Sequence, residues 1–201
     1  MLDKIIIQVK DAIIASVKGA DDIVEALRSA VKSQLIGVLE NVAAIGVAVE
    51  DAIAAVAEGA VRASSGILLS ITDGVRNTVH AALEGIGATG VDALLAVRHV
   101  ARGAVNGAYQ VGGDIARSSV AAVEGAVDAS GKVGVDTSKA VSSAVVGVIH
   151  AADNIGSEAG SAARKALLNA VSLPRELVEK AIRGDGKAAY AADPLSALRR
   201  V

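Results

Sequence analysis

The sequence predicts an all-α protein dominated by one very long amphipathic helix, continuous, kinked or folded into hairpins, with a small helical segment at its C-terminus. Three observations predict it: the phase of the charges, a repeat that shares this phase, and an aliphatic composition. Numbering each residue modulo 11, which is three turns at 3.67 residues per turn, residues 1–183 contain 37 Asp, Glu, Lys and Arg, and 35 of them have remainders 10, 3, 7, 0 or 4. Only Arg28 and Glu50 fall elsewhere, and His80, His99 and His150 share the stripe. On a helix these five remainders are adjacent and span about 130° of the circumference. Nothing obliges an ordinary loop to count in elevens, so a preserved phase argues for one element of about 250 Å.

The repeat lies inside this phase. Stepping by 22 from Gly90 gives GVD at 90–92, GGD at 112–114, GVD at 134–136 and GSE at 156–158. Gly103, Gly125 and Gly147 sit halfway between, followed in the same series by Asn169. Residues 46–67 align with 112–133, both containing EGAV-x-AS. About eight such units fill residues 2–177, and residues 1–172 are read as tandem 22-residue amphipathic repeats. Gly19-Ala20-Asp21-Asp22, Ser64-Ser65-Gly66, Gly112-Gly113 and Ser130-Gly131 are the places where a bundle would turn. The helix needs packing or a surface to hold it, because 21 glycines each cost about 1 kcal/mol in a helix interior.

Residues 173–201 differ. Ser172-Leu173-Pro174-Arg175 kinks or restarts the helix. A short helix to about Arg183 should stop at Gly184-Asp185-Gly186, and Asp193-Pro194 should open a last one over 194–200. The segment reads as a terminal clasp or cap.

The stripe has unlike flanks. Remainders 4 and 8 hold a run of Gly and Ala, including Gly37, Gly59, Gly103, Gly107, Gly125 and Gly147, and the acidic Asp92, Asp114, Asp136 and Glu158. Remainders 6 and 10 hold bulky residues such as Leu83, Val105, Val127 and Val171 and bases such as Lys32, Arg76, Arg98 and Arg164. A ridge enters a groove, and small residues let backbones approach. The six glycines are therefore read as a self-packing groove that takes the bulky flank of another copy, giving a homo-oligomer or polymer. The opposite face is aliphatic throughout: Ile5, Ile13, Ile23, Val31, Ile45, Val56, Ile67, Val79, Ile86, Val100, Val111, Val123, Val145 and Ile155. Left in water it would far exceed the patch a soluble monomer tolerates, so it is read as lipid-facing.

Tandem 11- and 22-residue amphipathic units of this kind resemble those of exchangeable apolipoproteins, perilipins and α-synuclein, and more loosely phasins. The resemblance covers residues 2–177 and rests on the period. It implies the coating of a membrane, lipid droplet or lipoprotein-like particle. The chain departs from the apolipoprotein pattern in lacking Pro between units, and from that of α-synuclein in lacking a regular basic motif, EGAV at 58–61 and 124–127 being an echo.

Other classes find no footing. Apolar residues make up 52% of the chain, yet there is no Phe, Trp or Cys, which excludes thiol chemistry and a disulfide framework. A net charge of −2 with mixed signs offers no footprint for nucleic acid. The longest charge-free run lies between Lys139 and Asp153, too short to span a bilayer, and the N-terminus does not read as a signal peptide. The histidines are widely spaced, so no catalytic, cofactor-binding or metal residue is assigned. The expectation is a non-enzymatic structural protein that binds no cofactor. Its helices assemble side by side and coat a lipid or other apolar surface, peripheral to a membrane or lipid particle. The alternatives are a protein-only fibre, sheet or tube, or a pore-forming or translocated helical protein.

Overall fold

A computed structural model describes residues 1–188, with side chains to Gly184. The described chain is all-helical, but the single long helix is not there; ten helices are. They are α1 (Leu2–Val17), α2 (Ile23–Glu40), α3 (Val42–Ile45), α4 (Val49–Ser64), α5 (Ile71–Ile86), α6 (Ala93–Gln110), α7 (Ile115–Ser130), α8 (Thr137–Ile155), α9 (Ser157–Asn169) and α10 (Arg175–Ala188). The expected last helix over 194–200 lies outside the described residues.

The phase survives because each unit is one helix plus one turn of fixed total length. Helices α4 to α8 begin at residues 49, 71, 93, 115 and 137, a constant step of 22. The turn is built from the repeated tripeptide. Its first residue takes a left-handed φ at Gly46, Gly90, Gly112 and Gly134, and Leu68 occupies the same position at φ 59°. At Gly112 the turn is a Schellman closure: the Gly113 amide reaches back to the Ala108 carbonyl and the Gly112 amide to that of Tyr109. At all but the first of these turns the side chain of the third residue caps the next helix. Asp92, Asp114 and Asp136 accept from the amides of Leu95, Arg117 and Lys139 at 2.9, 3.1 and 3.0 Å, and Ser70 accepts from Asp73 at 3.1 Å. The recurring acids are therefore helix caps, whereas Glu158 lies in the first turn of α9.

Two layers result. Helices α1, α4, α6, α8 and α10 pack in succession in one layer, and α2, α5, α7 and α9 in the other. Successive long helices alternate between layers, as short turns require, and neighbours within a layer run parallel, since Gly103 and Gly107 of α6 lie over Ala54 and Glu58 of α4. This is an α-solenoid, in which each helix meets only nearby ones. The core lies between the layers and is aliphatic: Ile13, Leu27, Val31, Ile53, Val56, Val79, Ile86, Val100, Val123 and Val145 are buried.

Within a layer the spacing is set by glycine. A Cβ on Gly125 would stand 2.5 Å from the Arg76 carbonyl oxygen, and one on Gly107 2.7 Å from that of Glu58. Gly103 and Gly147 lie closer still to the carbonyls of Ala54 and Arg98. Gly125–Arg76, Gly107–Glu58, Gly103–Ala54 and Gly147–Arg98 share one offset in sequence, because each repeats the contact of helix n with helix n+2. Gly59 over Ile6, at 2.6 Å, has an offset four residues longer. The chain up to Gly46 is the irregular part, with α2 starting early and breaking at Asn41.

Gly103→Ala should destabilise the protein by about 1–3 kcal/mol in urea unfolding, since overpacking against a backbone carbonyl outweighs the gain in helix propensity. Gly37→Ala, with nothing within 4 Å of the added carbon, should stabilise it by about 1 kcal/mol.

Candidate assembly surface

The face read as lipid-facing is, in this fold, the interior. Ile5, Ile13, Val31, Val56, Ile67, Val79, Ile86, Val100, Val123 and Val145 are buried between the layers, while Ile23, Ile45, Val111 and Ile155 are half-buried at its margins. The groove glycines divide in the same way. Gly59, Gly103, Gly107, Gly125 and Gly147 are filled by this chain's own backbone. The pairing of a small flank with a bulky one occurs between α4 and α6, α5 and α7, and α6 and α8, because the turns bring a second copy of the pattern within reach inside one chain.

Gly37 is the exception. Its position in α2 is that of Gly125 in α7, yet no atom faces it. Among the described residues no helix packs on this flank of α2. Ser29 and Ser33 are exposed, Ala26 and Gly37 half-exposed. A shallow groove of about 340 Å³ runs here, lined by Ser16, Ala26, Ser29, Ala30, Ser33 and Gln34. Beside it α1 exposes Lys4, Ile7, Gln8, Asp11 and Ala15.

A second groove, of about 370 Å³, separates α7 from α9 and is lined by Thr72, Ala116, Arg117, Val120, Ala121, Glu124, Ala166, Asn169, Ala170 and Ser172. Asn169, which replaces the glycine of the 22-residue series, is among its lining residues. Ser172 closes one end by donating to Glu124.

Charges cross the outer seams at the same helix-n-to-n+2 spacing. Arg102 of α6 meets Asp51 of α4 at 3.0 Å. Arg76 of α5 meets Asp128 and Glu124 of α7 at 3.0 and 3.4 Å, and Lys132 meets Glu84 at 2.8 Å. Such exposed pairs contribute under about 1 kcal/mol each; their effect is to fix which residue lies over which.

The histidines do not converge. His80 lies buried on α5, its Nε2 3.3 Å from Glu84 and 3.2 Å from the Lys132 ammonium. Burial and the nearby Arg28 and Lys132 cations lower its pKa against the pull of Glu84. His99 on α6 is held down to about 4, chiefly by burial and then by Arg102, with Glu50 opposing. Both are neutral seam residues at neutral pH, and neither groove includes a histidine. Among the described residues no cluster of His, Asp and Glu is arranged to hold a metal, and no helix is long and apolar enough to cross a membrane.

What the sequence reading missed here was the Asp cap two residues after the left-handed Gly90, Gly112 and Gly134, a signal present in GVD and GGD. No protein-family model matches the chain, and no curated protein matches it.

His99 is neutral in the folded protein down to about pH 4, whereas an unfolded chain protonates it below about 6.5. The unfolded state therefore binds the extra proton between these values, and stability should fall as pH drops from about 6.5 to about 4. NMR titration of the His99 ring should give a midpoint near 4, and His99→Gln should flatten that part of the stability profile.

Proposed function

We propose that this chain is a non-enzymatic structural protein, a short α-solenoid that assembles with further copies of itself edge to edge. One observation carries the reading: Gly37. A glycine in a helix interior costs about 1 kcal/mol and usually has a packing reason when it stays there. At the equivalent positions of α4, α6, α7 and α8 the reason is a neighbouring backbone carbonyl. On α2 the same residue type in the same phase has no neighbour among the described residues, and a second protein molecule supplies one.

Binding of the aliphatic face to lipid is the second reading, favoured by the make-up of the interior. The buried side chains are almost wholly Val, Ala, Ile and Leu. Hydrocarbon is nearly the same solvent for them as the facing layer. Parting of the layers at the glycine turns would lay the helices on a droplet or bilayer with their charged stripe still in water.

Gly37→Leu separates self-assembly from folding. Because the site is open, the variant should keep its helical content and unfolding midpoint, or gain in both. Sedimentation should show wild-type protein forming concentration-dependent oligomers, with dissociation at least tenfold easier in the variant. Equal association by the two proteins removes the assembly reading. Flotation with neutral vesicles and with oil droplets tests the second reading, which ends if the protein stays at the bottom of the gradient at all lipid ratios.

A further inference from the structure

Two histidines sit in seams within the layers rather than in the aliphatic core between them. His80, buried on α5, lies where α2, α5 and α7 adjoin, and His99 of α6 lies against the first turn of α4. In each ring Nδ1 is shut off from water and has no hydrogen-bond partner among the described residues. The Nε2 of His80 is already engaged, 3.3 Å from Glu84 and 3.2 Å from the Lys132 ammonium. A neutral ring tolerates one idle nitrogen, whereas an imidazolium carries a hydrogen on both and needs an acceptor for each. The charges acting on His80 come from Arg28 of α2, Glu84 of α5 and Lys132 in the turn after α7, while α4 and α6 add none. The Arg28 Nε donates to Asn77 at 2.8 Å, which holds that cation in the seam. Those acting on His99 come from Arg98 and Arg102 of α6 and from Glu50 and Asp51 of α4, while α5, α7 and α8 add none. Asp51 is already paired with Arg102. Arg28 and Glu50 are the two charges of residues 1–183 that leave the stripe, both at a phase where neighbouring units carry Val17, Leu39 and Val61. The charge pattern is therefore broken beside the two seam histidines: Arg28 adds to the cost of a charged His80, and Glu50 partly offsets that of His99.

We propose that His80 and His99 act together as a proton latch, which loosens the seams within each layer in acid while the core between the layers keeps the helices packed. These seams have little give. One turn beyond His99, Gly103 lies against the Ala54 backbone, and Val79, next to His80, backs onto Gly125. With the spacing set by backbone contact, a protonated ring reaches water or a new acceptor when the helices part. The core between the layers is aliphatic and takes up no proton. Both rings are neutral in the closed form and charged in the loosened one, so the loosened form binds more protons and gains as pH falls from about 6.5 to about 4. Glu58 works the other way, because burial raises its pKa and lets the closed form take up a proton there. Glu84 and Asp153 are held below the usual carboxylate range by hydrogen bonds from Lys132 and Arg164, so they stay ionised over most of this interval. The latch presumes neither self-assembly nor lipid binding, and it acts on one chain by itself.

The test titrates the full-length protein from neutral pH into acid and follows it by small-angle scattering extrapolated to zero concentration, by circular dichroism and by NMR of the histidine rings. The radius of gyration should rise by about 10–20% while most of the helical signal remains. His80 and His99 should become charged in that same step, with a midpoint near pH 4 for His99. The His80→Gln/His99→Gln protein should keep its neutral-pH radius about one pH unit further into acid. His150→Gln, at an exposed position, should follow the wild type. Rings that charge while the radius stays constant would mean that the seams accept the proton, which overturns the latch. A double variant that expands at the wild-type pH overturns it as well, and so does loss of helix and compactness in a single step, which is ordinary acid unfolding. Should the double variant fail to fold at neutral pH, the ring and radius titrations of the wild type decide by themselves: coincidence supports the latch and separation ends it.

Discussion

Everything in this molecule depends on the approach of one helix backbone to the next but one. Where Gly125 lies over the Arg76 carbonyl, the two helices are nearer than any side chain would permit. That spacing makes Val and Ala sufficient as a core, because a thin gap needs no aromatic to fill it. It also makes each interface intolerant, since one methyl group at Gly103 or Gly147 has nowhere to go. The scarcity of large residues and the abundance of glycine are two views of one packing distance.

How much of this was legible in the sequence can be judged residue by residue. Helicity, the charged stripe, the aliphatic face and the mating of small with bulky flanks were all readable, because they follow from angle around a helix axis. The break points were visible too: Ser64-Ser65-Gly66, Gly112-Gly113 and Ser130-Gly131 are turns in the structure. What misled was the inference that turns destroy phase. They do so when their lengths vary, but here helix and turn together always advance 22 residues. A folded array and a straight rod then carry the same periodic pattern. The discriminating signal was local: glycine in a left-handed turn followed two residues later by an Asp cap, as in Gly112-Gly113-Asp114. Helix interiors have no use for that pair.

The candidate surface was legible only in part. Gly37 appears in the sequence as one of six like glycines, and nothing in its immediate neighbours separates it from Gly59 or Gly125. Its difference is positional, since among the described residues it belongs to a helix with no neighbour on its small flank. The same holds for Asn169, whose departure from glycine is plain in the repeat but whose place beside a groove between α7 and α9 needs the fold to be seen. His80 and His99 sit on the charged stripe by phase, yet they lie in seams where stripes of neighbouring helices face one another, and they lose their affinity for protons there.

The alternation of layers gives the chain a parity. Each unit of 22 residues moves the polypeptide to the other layer and reverses its direction, and two units restore both. Loss or duplication of an even number of units, such as residues 93–136, rejoins like with like, so that every later helix keeps its layer, its direction and its glycine contact. An odd number moves every later helix to the other layer and reverses it, yet each still meets a parallel helix two places back, because both layers use the same glycine contact at the same offset. Length variation in such a chain is therefore quantised in steps of 22 residues, with a step of 44 needed only to keep later helices in their own layer, and variants of intermediate length should be rare among molecules that fold.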